Sequence, residues 1–253
     1  MNTIGNTLFV GKVLLHFPQL SSTNQYALEL LSNSRPSEGT VISTYNQVHG
    51  RGQIGSTWES EAFKNISLSA IFYPHFLLAR QQFDLNQAIS LAVFDFLLPY
   101  VGPGLKVKWP NDIYVEDDKI TGILIQNTII GQHLQASVVG LGININQVHF
   151  SQEIPNPTSL KILRQKDYDL DTLVGELCQC LERRYLQLRN GHWETIRADY
   201  LKHLYRYMED HLFQDQDGKV FSGRITGVKS SGYLQVSHNQ GESSFDLKQI
   251  RFI

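Results

Sequence analysis

Four β-prone stretches, residues 105–109, 112–116, 119–126 and 135–145, follow one another with little chain between them, and this crowding constrains the fold more than any other feature. Antiparallel neighbours join through tight turns, whereas parallel neighbours need a crossover of about a dozen residues or more, so the order predicts hairpins. Glu116-Asp117-Asp118 supplies one of those turns. Two further strands are expected at residues 40–45 and 66–73, the second closed by Pro74. Between them lies a polar, glycine-rich loop that is expected to be mobile.

Helical spacing of Ala88, Ile89, Ala92, Val93, Phe96 and Leu97 predicts a long helix over residues 79–98, stopped by Pro99 and Gly102-Pro-Gly104. An earlier helix opens at Ser21-Ser-Thr-Asn24, where Ser22 and Gln25 have capping-box spacing. Two more are expected, over residues 171–188 and 193–210. After His211 the texture changes to short alternating strands, such as residues 221–228 and 233–237, punctuated by Asp217-Gly218, Ser231-Gly232 and Gln240-Gly241. The expected fold is therefore α+β: a mixed sheet with flanking helices in residues 1–210, followed by a small β-barrel-like domain in residues 211–253.

The formal charge of −2 gives no global attraction to nucleic acid or to an anionic membrane. The first residues lack a basic stretch followed by an apolar one, and no apolar run approaches a membrane span, so a cytoplasmic protein is expected. Cys178 and Cys180 stand two apart in a helical pattern and point to different sides, which predicts free thiols and neither a disulfide nor a metal site.

Chemistry is concentrated in three segments. Gly50-Arg-Gly-Gln-Ile-Gly-Ser-Thr-Trp58 spaces glycines around Arg51, letting backbone N–H groups approach anionic oxygens. Lys108-Trp-Pro-Asn-Asp112, with Lys119-Ile-Thr-Gly122 behind it, is denser in polar groups than a strand turn requires. Arg51 and Lys119 offer the two positive charges needed to bring a carboxylate and a phosphate together. Gly140-Leu-Gly-Ile-Asn144 ends an apolar strand and suits either a plain sheet end or the floor of a nucleotide pocket. The glycine loop also satisfies the Gly-x-Gly-x-x-Gly spacing of dinucleotide sites, but residues 56–65 lack helical periodicity and His75 stands where an acidic residue is needed.

Taken in order, Ser22-Thr-Asn24, Gln47, Gly50-Arg-Gly52, Lys108-Trp-Pro-Asn-Asp112, Lys119-x-x-Gly-Ile-Leu124 and Gly140-x-Gly-Ile-Asn144 resemble the signature of biotin protein ligases. The match runs from about residue 8 to 150, and Gly223-x-Ile-x-Gly227-Val with Gly232-Tyr-Leu looks like the SH3-like domain of those enzymes. The resemblance implies a class II synthetase-like catalytic domain that uses ATP and Mg²⁺ to make biotinyl-5′-adenylate. Biotin then passes to one lysine of a carboxylase's biotin carboxyl carrier protein.

By the same resemblance, Ser22, Thr23, Asn24 and Gln47 hold the ureido ring of biotin, and Gly50, Arg51 and Gly52 close over it. Lys119 contacts the biotin carboxylate and later the phosphate, so Lys119 and Arg51 are the expected catalytic residues. Gln53, Trp58, Asp112 and Asn144 join Arg51 and Lys119 around ATP, with no metal ligand assigned. Many family members carry a second arginine where this chain has Gln53, which leaves adenylate retention to backbone N–H groups and Arg51. His49 replaces the small residue usual before Gly50. The family includes repressors with an N-terminal DNA-binding domain; because the family-like region starts so early, a ligase without sequence-specific DNA binding is expected. Homodimers are known in the family. A lipoate ligase shares the fold, but its Arg-Arg-x-Ser-Gly-Gly-Gly-like segment is missing from the sequence. A non-catalytic binder of a neutral ureido ring would need neither Arg51 nor Lys119.

Overall fold

A computed structural model describes residues 4–53 and 55–253, so the first three residues and Ile54 of the glycine loop lie outside the described residues. The elements in order are β1 (Leu14–Phe17), α1 (Thr23–Asn33), β2 (Val41–Thr44), β3 (Gly50–Arg51), β4 (Thr57–Trp58), β5 (Ile66–Phe72) and α2 (Gln82–Val101). Next come β6 (Leu105–Lys108), β7 (Asp112–Val115), β8 (Asp118–Ile130), β9 (His133–Ile143), α3 (Leu160–Arg164), α4 (Leu170–Arg189) and α5 (Trp193–Lys202). The chain ends in β10 (Asp210–Asp215), β11 (Val220–Val228), β12 (Leu234–His238), β13 (Gly241–Phe245) and β14 (Ile250–Phe252).

The large sheet has seven strands in the order β1-β2-β5-β9-β8-β7-β6. Only β1 and β2 run parallel; the other neighbours are antiparallel, as the short turns require. Strand alternation sends Leu68, Ala70, Val139 and Leu141 into a core shared with α2 and α4. Ile42, Ile71 and Val138 point the other way and pack under Ala27 of α1. All seven residues of β5 are buried because both faces of the sheet are covered there. The second sheet, ordered β13-β12-β11-β10-β14, is antiparallel throughout, and its inner residues Phe213, Ile225, Leu234 and Val236 belong to the same continuous core.

Four expectations are corrected. Pro99 does not stop α2, which runs to Val101 and ends at Gly102 with φ +82°. The proline falls in the last turn, and Arg164 of α3 donates to the exposed carbonyls of Tyr100 and Val101, while Val101 itself is buried. The helix from residue 193 ends at Lys202, well before 210, because the buried Leu204 and Tyr205 bring the chain against β6. There Val107 N–H donates to His203 O and Tyr205 N–H to Val107 O, and the positive φ of Arg206 and Met208 rules out further helix. The capping box at α1 is half made: Ser22 Oγ accepts from Gln25 N–H at 3.4 Å, but the Gln25 amide donates to Glu29 and accepts from Arg51. The β8–β9 hairpin also extends to Ile130 and His133, further than the sequence pattern suggested.

Candidate active site

A cleft opens on the α1 face of the large sheet. One wall is the N-terminus of α1, where Ser22, Thr23 and Asn24 are each 4% exposed. Gln47 accepts from Thr23 N–H at 2.9 Å and lies 3.3 Å from the Thr23 hydroxyl. The Ser69 hydroxyl donates to Asn24 Oδ1 at 2.6 Å and lies 2.8 Å from Thr23 Oγ1. Asn24 Nδ2 in turn donates to Leu124 O and Gln126 Oε1. Every member is held by another, so the wall presents its polar atoms in fixed directions.

The floor is backbone. Gly140, Gly142 and Gly122 share the site face of β9 and β8, and Gly122 and Gly142 are register partners. A Cβ on Gly140 would lie 2.1 Å from Asn24 Oδ1. On Gly142 it would lie 2.4 Å from Trp58 Cε2 and Nε1, and on Gly122 2.8 Å from Trp58 Cζ3. The glycines are therefore required by the side chains seated on them, and the Trp58 ring spans the pair. Leu124 is the apolar residue of β8 on this face, whereas Ile123 and Ile125 alternate toward the helical core.

The described residues of the glycine loop, 50–53 and 55–58, form the lid of the cleft. Its two-residue ladder pairs Gly50 with Trp58 and Arg51 with Thr57, and Gly52 N–H donates to Ser56 O at 2.9 Å. Arg51 is on the rim, where its guanidinium donates to Gln25 Oε1 at 3.0 Å. Gln53 Nε2 donates to the buried Asn111 Oδ1 at 2.9 Å, tying the lid to the β6–β7 turn. At the far end Lys119 Nζ donates to Asp112 Oδ2 at 2.6 Å, with both side chains about a quarter exposed.

Ten expected site residues thus share one cleft: Ser22, Thr23, Asn24 and Gln47 on the wall, Arg51, Gly52, Gln53 and Trp58 in the lid, Asp112 and Lys119 at the end. Gly50 lies beneath, its Cβ position 2.2 Å from Trp58 O and 2.9 Å from Gln47 Nε2. Asn144 follows Gly142 by two residues and is 3% exposed; its Nδ2 donates to Thr158 O, and its Oδ1 has no partner among the described residues. Trp58 Nε1 is likewise buried without a partner among the described residues. Sequence reasoning missed Ser69, Gln126 and the Gln53–Asn111 bond. The alternation of Ser67 and Ser69 within an apolar strand was the one available signal.

The sequence pattern of the Biotin/lipoate A/B protein ligase family matches residues 16–144, half of the chain. The chain belongs to that family. It is 31% identical to the biotin–[acetyl-CoA-carboxylase] ligase of Mycobacterium tuberculosis, over 72% of this chain and 67% of that one. Against the bifunctional ligase/repressor BirA of Bacillus subtilis it is 27% identical, covering 93% of this chain and 72% of the relative. The fold is that of the Aquifex aeolicus biotin protein ligase solved with biotin and ATP, at TM-score 0.80 and 20% identity, over 96% of this chain and all of the other. The α+β reading and the small terminal sheet agree with this relationship. No helix among the described residues is long and apolar enough to cross a membrane.

Proposed function

We infer that the protein activates biotin with ATP as biotinyl-5′-adenylate and transfers it to a lysine of a biotin carboxyl carrier protein, acting in the cytoplasm. The observation that carries this reading is a rigid polar wall and a side-chain-free floor meeting at Lys119. A urea carries one acceptor and two donors, and the Ser22, Thr23, Asn24 and Gln47 set offers matching hydroxyls and amides. Lipoate brings an apolar dithiolane, which offers neither donor nor acceptor to the hydrogen-bonding capacity that the wall's internal bonds leave over.

In the first step a biotin carboxylate oxygen attacks the α-phosphorus and forms the acyl–phosphate bond while pyrophosphate leaves. Two anions must meet, and the Lys119 ammonium offsets their repulsion when it turns from Asp112 to the incoming oxygens. Arg51, which lines the same cleft, reaches the oxygens from the rim. Mg²⁺, when bound with ATP, neutralises phosphate charge; Asp112, the carboxylate lining this cleft, fits a single-carboxylate contact of the kind Mg²⁺ makes. The adenine is assigned to the neighbourhood of Trp58. Trp58 Nε1 offers a donor and Asn144 Oδ1 an acceptor, matching an amidine edge that both accepts and donates.

In the second step the uncharged amine of the carrier lysine attacks the anhydride carbonyl, the amide forms, and AMP leaves with the bonding electrons. Positioning dominates here, because the anhydride is already reactive. The test incubates the protein with biotin, ATP, Mg²⁺ and a carrier domain and follows carrier mass, with lipoate in parallel and Lys119→Ala as control. A biotin-sized gain lost in the variant is expected; a gain with lipoate alone overturns the assignment.

A further inference from the structure

Lys108 opens the Lys-Trp-Pro-Asn-Asp segment yet does not line the ligand cleft. It closes β6 directly opposite Asp112, the first residue of β7. Directly opposed residues of an antiparallel pair project to the same face with Cβ atoms about 4.5–5.5 Å apart. Asp112 is also the residue that holds Lys119 at 2.6 Å. The Lys108 ammonium is fixed in turn: it donates to Tyr114 Oη at 3.2 Å and sits 4.4 Å from the Tyr114 ring centre, 5.1 Å from that of Phe252 and 5.8 Å from that of Tyr205. Two of those three rings come from chain beyond α5, one of them in the last strand of the second sheet.

Burial pushes the Lys108 ammonium below the usual lysine range; Asp112 pulls it back up, Arg206 and Lys119 push it further down, and Asp117 raises it slightly. Lys108 lines a second cleft, between β6–β7 and the second sheet, whose other charged residues are Asp112, Asp117, Arg206, Lys248 and Arg251. Lys108 makes no direct ion pair with Asp112, and the attraction between them acts across the strand pair with little water to screen it.

We propose that Lys108 is a positioning residue for the adenylation step: clamped by Tyr114, Tyr205 and Phe252, its ammonium attracts the Asp112 carboxylate across the strand pair and keeps Asp112 in place when Lys119 turns toward the reacting oxygens. The clamp makes the second sheet part of the device that aims Lys119. The proposal rests on the ligase reading above.

The experiment measures biotin-dependent pyrophosphate release by full-length wild type, Lys108→Met, Lys108→Arg and Phe252→Leu, each also in an Asp112→Asn background. Misplacing a reacting group by about 1 Å can cost on the order of a hundredfold, so Lys108→Met is expected to lower kcat by about tenfold or more. The KM values for biotin and ATP should stay within about twofold, because Lys108 touches neither ligand. Lys108→Arg, which keeps charge and ring stacking, should recover most of the rate, and Phe252→Leu should show a smaller loss of the same kind. In the Asp112→Asn background Lys108→Met should add less than about a twofold loss, since it acts through Asp112. An unchanged kcat in Lys108→Met, an arginine variant as slow as the methionine one, or an undiminished loss in the Asp112→Asn background overturns the proposal. Should Lys108→Met fail to fold, the Phe252→Leu and Lys108→Arg rates decide by the same criteria. Wild type without biotin- and ATP-dependent turnover overturns the ligase reading and this proposal together; an active wild type with an indifferent Lys108→Met overturns this proposal alone.

Discussion

Replacing Gly142 by alanine tests the floor of the cleft. The added methyl would lie 2.4 Å from Trp58 Cε2 and Nε1 and 2.9 Å from Cδ2. Carbon contacts are comfortable near about 3.5–4.0 Å, so the ring must lift by roughly 1 Å or more. A tryptophan buries about 150–250 Å², and losing contact over one face forfeits roughly 100 Å², or about 2.5 kcal/mol at 25 cal/mol per Å². Trp58 stands in a two-residue ladder that can shift, which reduces the expected net loss to about 1–2 kcal/mol. That corresponds to roughly 5–30-fold in any affinity that depends on the seated ring. Gly142 is not among the positive-φ glycines, so alanine suits its backbone and the melting temperature should move by only a few degrees. Calorimetric titration with a non-hydrolysable ATP analogue, and separately with biotin, reads the outcome. The reasoning predicts weaker nucleotide binding with biotin affinity held within about threefold. Biotin binding lost while nucleotide binding is kept would refute the placement of Trp58 on the nucleotide side.

Three other outcomes follow from the packing. Burial drives the Cys178 thiol up to about 12; it also raises the half-buried Cys180 thiol, with Arg183 beside it pulling it back down, so a thiol reagent at pH 8 should modify the more accessible Cys180 slowly in the native protein and Cys178 only after unfolding; mass mapping after labelling checks this. Burial, with Lys202 and Lys106 nearby, lowers the His203 pKa from its ordinary value, while its ring packs 4.2 Å from Phe94. The unfolded chain therefore binds this proton more readily; the stability is present above the unfolded pKa near 6.5 and is lost as pH falls through the folded value, so His203→Gln should flatten the fall in melting temperature on acidification. The Glu182 carboxylate accepts the N–H groups of Leu8, Phe9 and Val10 at 2.7, 2.7 and 3.0 Å, and Glu182→Ala, which strands the buried Val10 donor and two half-buried ones, should destabilise by about 1–3 kcal/mol in urea unfolding.

Much of this was legible because it is local. Alternation and turn chemistry gave the hairpins from residue 105 onward, and Ser22 announced α1. The glycines of residues 122, 140 and 142 signalled close approach, though not what approaches: Asn24 and Trp58 are distant in sequence and reach the floor only through sheet register. Ser69 and Gln126 escaped for the same reason, since their polar wall is assembled from α1, β5 and β8. Pro99 misled because a proline in the last turn removes a single helical bond, and the terminal carbonyls of Tyr100 and Val101 find a remote donor in Arg164. The end of α5 misled because burial of Leu204 and Tyr205 outweighs helical propensity.

The contact between Trp109 and Gly232 bears on how freely such a chain can be recombined. Trp109 Nε1 donates to Gly232 O at 2.9 Å, and a Cβ on Gly232, where φ is +96°, would press 2.9 Å from the ring of Phe83. One residue of the turn between β11 and β12 is thereby fitted to α2 and to the turn that precedes Asp112. A terminal module grafted from another chain would have to reproduce a bare backbone at that point, or it would push on the helix and the turn together. The two sheets are consequently expected to melt in one cooperative transition and to resist exchange as independent cassettes.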